Sequence, residues 1–271
     1  MLVLPQLADM PWNKPRIAVL EIAGGIGPQV KGPETVRTIK ALREDPRVNA
    51  VIIDIDSPGG SATISDAIFR GLQKLSAKKP TVAYVGNVAL SGGYLAACGA
   101  RKVVALPTAL VGSIGVIFSR PVVEELMQKV GVKMVVTHEG RLKGMFQPWH
   151  DPTPEEQEKV QALTDEYYEW FVGSVSQARG LSLEKVKEIA TGEMYSASKG
   201  LTLGLVDELG DFERATELAK ELAKMTETPR LNYIRPKRPL LERVLQRAGA
   251  SMAESFFSEA ETRARGRIEF R

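Results

Sequence analysis

The run Asn49-Ala50-Val51-Ile52-Ile53-Asp54-Ile55-Asp56-Ser57-Pro58-Gly59-Gly60 decides how this chain folds. Its first half is apolar and rich in β-branched residues, the pattern of a strand covered on both faces, as in a parallel sheet. The run stops at Ser57-Pro58-Gly59-Gly60, a turn whose glycines leave backbone N–H groups unobstructed by side chains. Beyond it, Ser61–Leu75 places apolar residues at helical spacing. Strand, glycine turn and helix in that order form a βα unit.

The same alternation runs outward in both directions. Upstream, Arg16–Ile22 reads as a strand and Glu34–Arg43 as a helix. Downstream, Thr81–Val85 and Lys102–Leu106 read as strands, with a short apolar helix, Tyr94–Cys98, between them. Pro121–Val130 reads as a helix and Lys133–His138 as a further strand. Strands alternating with helices predict an α/β fold with mostly parallel pairing. The second half is predicted helical. Thr153-Pro154-Glu155-Glu156 is a capping-box start, and Gly180 closes the helix it launches near Arg179. Ser182 caps a shorter helix, and Phe212–Met225 forms another. A strand at Arg230–Ile234, a helix at Leu240–Phe257 and a tail with Arg263, Arg265, Arg267 and Arg271 complete the reading. The expected organisation is one domain over residues 1–215 with a helical extension of it over 216–271.

Composition excludes several classes. Of 271 residues, 44% are hydrophobic and 25% charged, the balance of a globular protein large enough to need no staples. A single cysteine, Cys98, excludes a disulfide scaffold. A net charge of +3 without a concentrated basic face gives no footing for nucleic acid. Pro80–Ala100 and Val103–Ser119 are uncharged, but glycines break both, so they read as buried strands and turns rather than membrane spans. The first residues hold a short apolar run with no basic stretch before it, unlike an export signal. The expectation is a soluble chain, cytoplasmic or membrane-associated, with the arginine-rich tail a candidate for peripheral contact with acidic lipid.

Two elements are candidates for chemistry. At the first turn, Gly59 and Gly60 suit an anion or a developing oxyanion, and an ordinary βα turn is the alternative. At the second, Val88-Ala89-Leu90-Ser91-Gly92-Gly93-Tyr94, Ser91 sits between strand and helix, as a nucleophile or as a helix cap. A serine nucleophile needs a base. His138 and His150 are the only histidines, and no pattern ties either to Ser91. Lys143, in the apolar-rich loop His138–Trp149, is the other option. To act as a base it must be neutral, its pKa drawn from about 10.4 to roughly 7–8. Walker, His-Glu-x-x-His and Gly-x-Ser-x-Gly motifs are absent, and no metal or cofactor is expected.

Taken in order, Asp56-Ser57-Pro58-Gly59-Gly60, Ala89-Leu90-Ser91-Gly92-Gly93-Tyr94, Gly112-Ser113-Ile114-Gly115-Val116, Lys143 with Pro148 beyond it, and Leu205-Val206-Asp207-Glu208-Leu209-Gly210 resemble the signal peptide peptidase A (SppA) family. The resemblance implies a ClpP/crotonase-like fold of repeated ββα units and a serine endopeptidase with a Ser–Lys dyad. By position it makes Ser91 the nucleophile, Lys143 the general base and Ser113 the residue that orients the lysine. It assigns oxyanion and substrate contacts to Gly59, Gly60 and Gly92. It further implies a homo-oligomeric ring with active sites shared between protomers, and hydrophobic peptides such as released signal peptides as substrates. The alternatives are a crotonase-like acyl-CoA enzyme and a non-catalytic peptide-binding ring.

Overall fold

The computed structural model describes residues 15–234. The predicted helix at Leu240–Phe257 and the arginine-rich tail lie outside the described residues.

The βα alternation is realised. In chain order the elements are β1 (Arg16–Ala23), α1 (Gly32–Glu44), β2 (Val48–Ser57), α2 (Ala62–Lys78), β3 (Thr81–Leu90), α3 (Gly92–Cys98), β4 (Lys102–Ala105) and β5 (Leu110–Gly112). They continue with α4 (Glu124–Lys129), α5 (Pro154–Arg179), α6 (Leu183–Ile189), β6 (Met194–Ser196), α7 (Ala197–Leu203), β7 (Glu208–Leu209), α8 (Phe212–Leu222) and β8 (Arg230–Ile234). The strands form one sheet in the order β6-β5-β3-β2-β1-β8, with β4 bridging β3 and β7. Every pairing is parallel except β5 with β6.

Both faces of the sheet are covered, as the unbroken apolar strands require. Along β1, Ala18, Leu20 and Ile22 enter the large core under α1, α2 and α3. Ile17 and Val19 point the other way, onto Ala215, Leu218 and Ala219 of α8. Residue 215 therefore lies inside an element that covers the sheet, and β8 extends that sheet at its edge beside β1.

Helix ends follow local chemistry. Thr153 Oγ1 accepts from Glu156 N at 3.3 Å, and Thr153 N donates to Glu156 Oε2 at 2.8 Å, closing the capping box of α5. Gly180 ends that helix at φ 64°, a left-handed conformation that favours glycine.

One predicted strand does not form. Lys133–His138 has the β-branched composition of a strand but belongs to no ladder. A strand needs a neighbour to take its backbone hydrogen bonds, and none is offered within the described residues. The predicted helix at Pro121–Val130 is reduced to α4. Both lie in residues 115–155, a segment without a single buried residue.

Candidate active site

β3 forks, and the fork builds the site. Its first part, Val82–Val85, pairs with β4, while Val88–Leu90 at its end pairs with β5. The end of β3 is thereby set beside Gly112 and Ser113. Ser91 N donates to Gly112 O at 2.8 Å, which ties the two serine turns together. Ser91 and Ser113 have φ of 50° and 49°. Left-handed backbone at a non-glycine residue is uncommon and concentrates where surroundings hold a functional group in place. Both serines line the same groove.

The Ser57–Gly60 turn closes in from β2. Gly59 takes a φ of 96°, and a Cβ there would lie 2.8 Å from Gly92 N, Leu90 O and Ser91 Cβ. Only a glycine allows this turn to press so closely against the nucleophile. At Gly92 a Cβ would overlap Ser65 Oγ, because α3 packs directly on α2. Ser57 Oγ donates to Gly24 O at 2.7 Å and accepts from Gly59 N at 3.2 Å. Gly59 N–H is thus already engaged, whereas Gly60 N–H and Gly92 N–H have no partner among the described residues. Gly60 and Gly92 line the same groove as Ser91.

The groove has a volume of about 840 Å³. Its floor is made by Gly60, Ser65, Ser91, Gly92 and Ser113, and its walls by Leu95, Val116, Phe118, Tyr167, Trp170 and Phe171. Thr191 and Gly192 close one end. Among the described residues, no carboxylate, imidazole or amine lines it. The structure therefore brings together Ser91, Ser113, Gly59, Gly60 and Gly92, but not Lys143. That lysine is exposed on a run of turns, and its ammonium has no ion pair or hydrogen bond among the described residues. Neither His138 nor His150 reaches the groove. Both border a smaller one of about 370 Å³ between α4 and the lysine loop. Cys98 is buried in α3, and burial pushes its thiol up to about 11, which removes it as a nucleophile.

Sequence reasoning missed the aromatic wall. Its signal was Tyr167-Tyr168-Glu169-Trp170-Phe171, a crowd of aromatics too wide for one buried stripe of α5. Among the described residues no cluster of histidine, cysteine and carboxylate side chains suits a metal ion, and no helix is long and apolar enough to cross a membrane.

Comparison with known proteins gives a consistent result. The family model described as Peptidase family S49 matches residues 73–226, and that described as Clp protease matches residues 29–114. A protein named as a protease in Synechocystis sp. is 37% identical over 235 residues, which cover 86% of this chain and 83% of that one. The chloroplastic serine protease SPPA of Arabidopsis thaliana is 30% identical over 239 residues, 84% of this chain but 35% of the longer plant protein. Among solved structures, the 1510-N membrane-bound stomatin-specific protease superposes with a TM-score of 0.55 at 18% identity, covering 83% of this chain and 99% of that one. That likeness gives the fold, which is ClpP/crotonase-like as the motifs implied.

Proposed function

The chain belongs to peptidase family S49 and is a serine peptidase; from that premise we propose that it is an endopeptidase for hydrophobic peptides, released signal peptides among them. Ser91 is the nucleophile and Lys143 the general base, and adjacent protomers of a homo-oligomeric ring supply the two.

The observation that carries this reading is the absence of any carboxylate, imidazole or amine from the Ser91 groove. A serine hydroxyl must lose its proton as it attacks, so a base has to come to this groove from beyond its described lining. Lys143 is unpartnered and stands on the segment without buried residues, where Ile117 is 89% and Val135 83% exposed. Docking that segment on a neighbour buries its apolar side chains. It also desolvates the ammonium, and desolvation lowers a lysine pKa toward the working range of a base. The same groove disfavours a crotonase-like acyl-CoA enzyme, which requires a carboxylate near its oxyanion donors.

The chemistry then follows. Ser91 Oγ attacks the scissile carbonyl carbon and its proton passes to Lys143 Nζ. The oxyanion is held by Gly60 N–H and Gly92 N–H, preorganised by the close approach at Gly59. Ser113, fixed to the Ser91 turn through Gly112, orients the incoming amine. The tetrahedral intermediate collapses, the peptide amine leaves with the lysine's proton, and water hydrolyses the acyl-serine by the reverse sequence. The aromatic walls favour apolar side chains. Residues 216–234 belong to the same domain, since α8 covers a face of its sheet and β8 extends that sheet beside β1.

The test is complementation. Ser91→Ala and Lys143→Ala proteins are each inactive on a hydrophobic fluorogenic peptide. Mixed, dissociated and reassembled, they regain activity through the interfaces that join an intact serine to an intact lysine. Full activity of Lys143→Ala alone would overturn the dyad, and an inactive mixture with proven co-assembly would overturn its sharing.

A further inference from the structure

Phe118 belongs to two structures at once. Its ring lines the Ser91 groove together with Tyr167, the centroids 6.0 Å apart and the planes tilted by 33°. It also stacks on Phe146, with centroids 6.2 Å apart and planes at 24°. Phe146 is three residues beyond Lys143 on one run of turns: Lys143 N donates to Gly140 O, Met145 N to Leu142 O and Gln147 N to Gly144 O. These turn bonds join Phe146 to Lys143 through a short hydrogen-bonded stretch of backbone, the path by which a change at the Phe146 ring can reach Lys143. Phe118 and Phe146 are 42% and 49% exposed, so neither is locked in the core. Further ties to the loop, such as Arg120 to Gln147 O, Arg141 to Glu155, His150 Nε2 to Gly144 O and Val123 N to Pro148 O, are made by residues that do not line the groove.

We propose that Phe118 is a positioning residue through which filling of one Ser91 groove sets the placement of the same chain's Lys143. A peptide side chain entering the groove meets Phe118 and Tyr167, favours one arrangement of the Phe118 ring, and thereby favours one arrangement of the Phe146 turn. The inference rests on the reading that Lys143 serves the neighbouring protomer's Ser91. Under that reading, substrate in one groove prepares the base of the next site, and the coupling is between distinct sites joined by an adjustable stack.

The experiment measures initial rate against concentration of a hydrophobic fluorogenic peptide on the assembled full-length protein. The wild type is expected to give a sigmoidal curve, with a Hill coefficient above one and bounded by the number of coupled sites. Phe146→Ala, whose side chain does not line the groove, is expected to give a hyperbolic curve. Its kcat should fall by up to about tenfold, the limit set by the strength of one aromatic stack. Its half-saturation should change little. Phe118→Ala should also lose the sigmoid and should raise half-saturation as well. Phe146→Tyr keeps the stack and should restore the wild-type curve, which separates a positioning role from a failure to fold or assemble. A hyperbolic wild type would overturn the proposal, as would a Phe146→Ala protein with an unchanged curve and kcat. Complementation between Ser91→Ala and Lys143→Ala is independent of these curves. Its success beside a hyperbolic wild type would remove the coupling and leave the shared dyad standing.

Discussion

His150 shows how much one side chain can reveal through its partners. Its Nδ1 lies 2.7 Å from Asp151 O and its Nε2 3.0 Å from Gly144 O. Both neighbours are carbonyls, which only accept, so both bonds exist together only in the imidazolium. The carbonyls of Asp151 and Gly144 raise the pKa above the ordinary histidine value. Burial and Arg120 oppose them, and Glu156, 3.8 Å from Nε2, assists. A raised folded pKa contributes stability that is fully present below the unfolded value of about 6.5 and is lost as pH rises through the folded value. The melting temperature should therefore fall as pH climbs through the window just above 6.5, and His150→Gln should flatten that part of the profile. Gly92 makes a second residue-scale prediction. A methyl there meets Ser65 Oγ, so Gly92→Ala should lose about 1–3 kcal/mol in denaturant unfolding, the cost of overpacking. The turns that carry Ser91, Gly59, Gly60 and Gly92 were legible because each residue is tied to a backbone shape. Lys143 was singled out by its apolar-rich loop and by the family resemblance, and the structure leaves it apart from the groove.

At the level of elements, α3 is the part to perturb. All seven of its residues are buried, and it carries Ser91 at its start. Tyr94 Oη donates to Leu205 O at 2.9 Å, which pins the helix to the Leu205–Gly210 segment. That segment is held in turn by Asp207, whose carboxylate meets Arg179 at 2.7 Å, Val103 N at 2.8 Å and Lys102 at 3.0 Å. Arg179 is 7% exposed in this pair. Asp207 keeps Lys102 and Val103 N when Arg179 is removed, so Arg179→Ala should cost about 1.5–3 kcal/mol by denaturant titration, the worth of a charge-assisted hydrogen bond. Tyr94→Phe leaves one carbonyl without its donor and should cost about 1–3 kcal/mol. The long elements of the fold were readable from periodicity: β1, β2, α2 and α5 fall within a few residues of their predicted bounds. Strands β5, β6 and β7 were not, since two or three residues carry no period. The Lys133–His138 expectation failed for a different reason. Its composition is right for a strand, but strand formation is a property of a pair.

For the whole molecule, the segment over residues 115–155 sets the behaviour. Val130, Leu126 and Val132 are 64%, 60% and 51% exposed, beside Ile117 and Val135. So many large apolar side chains exposed on one segment are characteristic of a surface that meets another protein. Val135→Glu is expected to yield folded protomers, with unchanged circular dichroism, that sediment as smaller species and hydrolyse no peptide. Retained assembly with full activity would remove this surface from the interface. The empty chemistry of the groove beside Ser91 bears on the life of the protein as well as on its mechanism. If adjacent protomers share the dyad as proposed, a lone protomer's groove holds a nucleophile with no base beside it among the described residues, and activity waits on assembly. Rate per protomer should then climb with enzyme concentration and vanish on dilution. On that reading the dosage of the protein sets the rate of proteolysis.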